Sequence, residues 1–202
     1  MIEWLFFDLG STLLDETDRV NERIEATAKL LQLETASFQT QLEQAAKVHP
    51  YVIHMELPNE ASWAPWPKRL DPLYPNAIPL LNILHKKFRL GVIANHGKNT
   101  AQRLGIAQFF TTYTASETAG YRKPDLRIFE MALAQAQCSP ENAVMIGDRL
   151  DNDIYPAKKL GMRTIWIRQG FGGASESIAE DYEPDYTVNS LTEIPNALEG
   201  LL

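Results

Sequence analysis

Residues 147–153 read Gly-Asp-Arg-Leu-Asp-Asn-Asp and follow the apolar run Ala143-Val144-Met145-Ile146. Asp148 and Asp153 therefore lie five positions apart, where a buried strand opens into a loop. Carboxylates gathered at the carboxyl end of a parallel strand are the ligands that a hard cation such as Mg²⁺ takes. A second acidic strand end opens the chain, where Trp4-Leu5-Phe6-Phe7 runs into Asp8-Leu9-Gly10-Ser11-Thr12. The residue types thus point to one site built from two strand ends.

The elements that must position these residues follow from hydrophobic periodicity. Residues 2–7 are apolar, aromatic and too short for a helix, which predicts a buried parallel strand. Val20, Ile24, Ala28 and Leu31 recur at helical spacing, with Thr17 or Asp18 as the cap. Phe38, Leu42, Ala45 and Ala46 repeat that period after Thr35, and Pro50 ends the segment. Residues 49–75 carry six prolines among Tyr51, Trp63, Trp66 and Tyr74, which predicts an irregular loop wrapped on aromatic anchors.

From residue 76 the pattern alternates. Strands are predicted at 88–94, 111–115, 143–146, 164–167 and 186–188. The helices between them lie near 78–84, at 99–105, after Lys123 and at about 152–160. Pro124 suits the first turn of the third of these helices and Asp125 its positive end. Ser190-Leu191-Thr192-Glu193 reads as a capping box for a final helix. Strands separated by helices of this length mean right-handed crossovers and a parallel, Rossmann-like α/β sheet. Residues 1–14 and 76–202 would form that core, and 15–75 a small, mainly helical insertion after the first strand.

Composition excludes several partner classes. The net charge of −7, with no basic block, argues against nucleic acid. No apolar run approaches the ~20 residues that span a membrane. A strand begins almost at the first residue, which leaves no room for a signal peptide. The single cysteine, Cys138, lies in a helix-like stretch and reads as an inert, buried thiol suited to a reducing cytoplasm.

The assembled residues resemble the haloacid dehalogenase superfamily of aspartate-nucleophile hydrolases. Phe7-Asp8-Leu9-Gly10-Ser11-Thr12-Leu13 is similar to its first motif, and Ile93-Ala94-Asn95 falls where the second ends its strand. Gly120-Tyr121-Arg122-Lys123-Pro124-Asp125 resembles the third motif. Gly147-Asp148 to Asp153 resembles the fourth. The resemblance implies a helical cap over a Rossmann-like core, in agreement with the insertion at 15–75. It also implies a cytoplasmic, Mg²⁺-dependent phosphatase, a monomer or homodimer, acting on a small phosphorylated metabolite. Asp8 would attack phosphorus and form an aspartyl-phosphate. Asp8, the Gly10 carbonyl and Asp148 would hold the metal, and Asp153 would orient the metal and Lys123. Lys123 would stabilise the transferring oxygens, with Asn95, His96 and Arg149 near the phosphate.

Two departures from the family pattern matter. Its phosphatases usually carry a second aspartate two positions after the nucleophile, which moves the leaving-group proton; here that position is Gly10. Such proton transfer is typically worth ~10²–10⁴-fold in rate. Ala94 stands where the family has a serine or threonine on the phosphoryl group. His96 could supply the proton, or it is a solvated loop histidine. Arg149 could reach phosphate, or pair with Asp151. Asp15 and Glu16 read as structural residues at the hinge of the insertion. His54, Trp63 and Trp66 could shape a pocket, whereas His49 and His85 carry no functional signal. Gly10 and Ala94 keep a rival class open: a catalytically weakened member that binds a ligand or a protein. A carbon–phosphorus hydrolase would need a Schiff-base lysine in the insertion, for which Lys68 is available. Gly10→Asp is expected to raise turnover of alkyl phosphates, provided the new carboxylate fits beside the insertion.

Overall fold

The computed structural model describes residues 1–48, 62–176 and 183–202. Six strands form the sheet: β1 (Trp4–Phe7), β2 (Arg89–Ala94), β3 (Thr112–Ala115), β4 (Ala143–Gly147), β5 (Arg163–Ile167) and β6 (Tyr186–Val188). Their order is β3-β2-β1-β4-β5-β6, and every neighbouring pair is parallel. All six strands lie where the apolar runs predicted them. The helices are α1 (Thr17–Leu30), α2 (Thr35–Ala46), α3 (Ala77–Leu84), α4 (Thr100–Arg103), α5 (Ser116–Ala119), α6 (Leu126–Ala136), α7 (Tyr155–Lys159) and α8 (Ile194–Glu199). None among the described residues is long and apolar enough to cross a membrane.

Both faces of the sheet are covered, which explains why β1 and β4 show no polar alternation. Leu5 and Phe7 pack on one side with Leu81 of α3, Ile106 and Ile194 of α8. Trp4 and Phe6 pack on the other with Ile128 and Phe129 of α6 and Ala157 of α7. Burying one such aromatic contributes about 2–3 kcal/mol, so the central strand is anchored from both sides.

Four local expectations are corrected. Asp125 caps α6 by accepting from Arg127 N (3.0 Å), so Pro124 lies before the first turn rather than in it. The helix expected at 152–160 is divided: Leu150–Ile154 is a wide π-type turn, and α7 follows. That turn directs Asp153 inward, where both of its oxygens are bonded. Glu193 binds Asn189 N and Ser190 Oγ, each at 3.1 Å, ahead of a 3₁₀ turn at Leu191–Glu193. The 190–193 signal therefore marks that turn, and α8 starts after it. Cys138 lies past the end of α6 and is half-buried, and burial pushes its thiol up.

In the insertion, Val20, Ile24 and Ala28 of α1 pack against Phe38, Leu42 and Ala46 of α2. Glu34 caps α2 through Ala36 N and Ser37 N. The returning segment lies along α1: Arg23 Nε donates to Ala64 O (2.9 Å), and its guanidinium covers Trp66 and Trp63 at 4.1 and 5.0 Å. These tryptophans are the expected aromatic anchors. The chain rejoins the sheet layer where Asp15 N donates to Pro72 O (2.8 Å) and Tyr74 N to Leu13 O (2.9 Å). His49, Pro50, Tyr51, His54 and Pro58 lie outside the described residues.

Candidate active site

Asp8 leaves β1 and Asp148 leaves β4, two adjacent strands. They flank the point where strand order reverses, β1–β2–β3 running one way and β4–β5–β6 the other. Open parallel sheets form their crevice at such a point. The oxygens of Asp8, Asp148 and Asp153 lie within 4.8 Å of one another, and all three residues are buried. Lys123 is buried with them, its Nζ 2.6 Å from Asp8 Oδ1 and 2.5 Å from Asp153 Oδ1. Three carboxylates thus face one ammonium. An excess of buried negative charge built only from oxygen donors is a setting for a hard cation.

Neutral groups fix the cluster in place. Gly147 is required beneath it, because a Cβ there would lie 2.5 Å from the Asp153 carboxylate. Thr12 Oγ1 donates to Asp148 Oδ1 (3.3 Å), and Trp166 Nε1 to the Asp148 carbonyl (2.7 Å). Arg149 N donates to Asp153 Oδ2 (3.1 Å). Asp153 therefore has one oxygen on Lys123 and the other on backbone, whereas Asp8 and Asp148 each engage one oxygen in these bonds. Asn95 brackets the Lys123 backbone, Oδ1 accepting from its N (2.9 Å) and Nδ2 donating to its carbonyl (3.0 Å). This amide positions the lysine.

Burial and crowding shift the charges. Burial, then the Asp153 and Asp8 charges, push Asp148 well above the usual carboxylate range. Burial pushes Asp153 up to about 6, against the pull of Lys123. Burial works against the Lys123 ammonium, but Asp153 and Asp8 outweigh it and hold its pKa above the ordinary lysine value. Burial lowers His96, with Asp8 opposing.

The cluster opens into a cleft of about 980 Å³ between the sheet edge and the α1–α2 pair. Asp8, Gly10, Asn95, His96, Lys123, Asp148 and Arg149 line its floor, so these residues singled out from sequence converge; Asp153 lies beneath. Arg149 is held on Asp151 at 3.1 and 2.6 Å. Glu16, Arg19, Asn21, Gln39, Glu43 and Trp66 line the opposite wall. Lys68 is exposed and does not line the cleft. Sequence reasoning missed Thr12 and Trp166. The first reads as part of a strand-end loop and the second as core, and only the contacts to Asp148 reveal their use.

A model of the HAD-hydrolase-like family matches residues 120–194, which hold Lys123, Asp148 and Asp153. The chain is 37% identical over 134 residues to a glyceraldehyde 3-phosphate phosphatase of Methanocaldococcus jannaschii, covering 63% of this chain and 57% of the relative. Over these residues the chain is similar to the haloacid dehalogenase-like hydrolases. A phosphoserine phosphatase of Thermus thermophilus is 32% identical over 134 residues, 63% of this chain and 51% of its own. The chain thus spans about half the length of the curated relatives it matches. The haloacid dehalogenase-like fold extends further. A 2-haloacid dehalogenase structure from Pseudomonas syringae superposes with a TM-score of 0.69 at 24% identity, over 100% of both chains.

Proposed function

We propose that the protein is a Mg²⁺-dependent phosphatase that hydrolyses a small phosphorylated metabolite through an aspartyl-phosphate at Asp8. The observation that carries this reading is Lys123 Nζ, held between Asp8 and Asp153 at the floor of the cleft. A carboxylate is ionised at neutral pH and attacks phosphorus without an activating base. Lys123 orients Asp8 and places a fixed positive charge where phosphoryl oxygens gather charge. The donor set fits a magnesium ion held by Asp8, Asp148 and the Gly10 carbonyl, and such an ion offsets repulsion between Asp8 and an anionic substrate. Asp153, with both oxygens engaged, anchors Lys123 and the Arg149 backbone. Residues 15–75 serve as a cap, and its polar wall of Asn21, Gln39 and Glu43 faces the part of the substrate that departs. The phosphatase names of the relatives support the same class.

Mixing the protein with Mg²⁺ and 4-nitrophenyl phosphate, followed by acid quench and mass spectrometry, is expected to find a phosphoryl group on the peptide bearing Asp8. Asp8→Asn is expected to abolish both label and turnover. Full activity in that variant would refute the reading. Gly10 and Ala94 favour a second reading, a weakened member that binds a phosphorylated ligand. Tight Mg²⁺-dependent phosphate binding without turnover of any aryl phosphate selects it.

A further inference from the structure

Gly10 has no side chain, yet the space in front of it is filled. A Cβ at this residue would lie 2.6 Å from Glu16 Oε2 and 2.8 Å from His96 Nε2. Glu16 comes from the start of the insertion, just ahead of α1, and His96 from the loop after β2. They arrive from opposite sides at one point and line the cleft together with Asp8. Neither is a loosely placed surface group, since their side chains are 15% and 23% exposed. Ser11 Oγ donates to Glu16 Oε2 (3.2 Å), and Arg19 pairs with Oε1. The same Oε1 lies 3.9 Å from His96 Nε2. A carboxylate and an imidazole therefore converge on the volume that a residue-10 side chain would enter.

We propose that Glu16 and His96 together carry the proton between leaving group and water, in place of a side chain at residue 10. This rests on the phosphatase reading. In the first half, an Asp8 oxygen bonds to phosphorus while the phosphorus–oxygen bond to the leaving group breaks. A proton carried by this pair passes to that departing oxygen, releasing an alcohol. In the second half, water attacks the phosphorus of the aspartyl-phosphate and gives its proton back to the pair. Asp8 leaves as a free carboxylate, and phosphate is released. Because Glu16 belongs to the insertion, the proton carrier is complete only when α1 lies over the sheet edge. Chemistry and cover are thereby linked through one residue.

The test uses the full chain with Mg²⁺ and enzyme in excess, so that only the first turnover is read. Ethyl phosphate and 4-nitrophenyl phosphate are compared in the native protein, Glu16→Gln and His96→Gln. Nitrophenolate departs without a proton, whereas ethoxide requires one. The ratio of ethyl to nitrophenyl rate constants is expected to fall about 10²-fold in each variant, the low end for general acid catalysis. A merely structural role lowers both rate constants and leaves the ratio in place. An unchanged ratio in both variants overturns the proposal, and a fall in only one overturns the shared role. Loss of nitrophenyl turnover in the native protein overturns the phosphatase reading itself, a separate result.

Discussion

Asp148→Asn tests the electrostatics of the cluster with a single atom exchange. Asp148 faces two carboxylates, Asp8 and Asp153, within 4.8 Å, and two cations, Arg149 and Lys123. Two unit charges at that distance interact by about 3.5 kcal/mol at an effective dielectric of about 20. Attraction to Arg149 and Lys123 offsets most of the two repulsions, and the burial of the charge, the largest effect, leaves roughly 3 kcal/mol against the ionised Asp148. Neutralising it should raise the metal-free melting temperature by about 6–12 °C in a chain of this size. Thr12 and Trp166 hold the residue through bonds that do not need its charge, so its position should persist. Mg²⁺ at about 100 times its dissociation constant should stabilise the native protein by about 2.7 kcal/mol, and the variant by nothing measurable. Thermal melts in chelator and in Mg²⁺ read both effects. Acidity supplies a third. Asp148 and Asp153 are raised above their unfolded values, so between those values and the folded ones the native state binds more protons. Metal-free stability from these groups is therefore fully present below about pH 4 and lost as pH rises through about 6. The native curve should fall across that window, and the Asp148→Asn curve should be flatter. A variant that melts lower than native in chelator, or that still gains from Mg²⁺, would refute the reasoning.

Two further outcomes follow from close approaches. Gly172→Ala would place a Cβ 2.6 Å from Asp148 Oδ2 and 2.9 Å from the Asp148 backbone oxygen, so calorimetry should find weaker Mg²⁺ binding. Gly10→Asp should not raise ethyl phosphate turnover in a steady-state assay, contrary to the expectation from sequence. The new side chain can enter only by displacing Glu16 and His96, and it sets a second carboxylate beside Glu16.

The order of apolar runs and helical periods was enough to predict the parallel sheet, because the central strands β1 and β4 are buried along their whole length and so read as uninterrupted apolar segments. The pairing of Asp8 with Asp148 was legible for the same reason: both directly follow such runs, and strand ends that carry carboxylates meet wherever the strands are neighbours. Lys123 was legible only through its place in the motif, since nothing local to Arg122-Lys123-Pro124 marks a buried cation. Its burial is decided by Asn95, which grips the lysine backbone from 28 positions away. Glu16 was misread. In sequence it is one more charge at the start of a helix, where acidic residues are common for reasons of the helix dipole. Only the packing of α1 over the sheet edge brings it to His96 and to the bare face of Gly10. Composition and period determine which segments are buried, since burial depends on each segment's own polarity. What stands opposite a missing side chain depends on two distant segments meeting, and only the tertiary structure decides that.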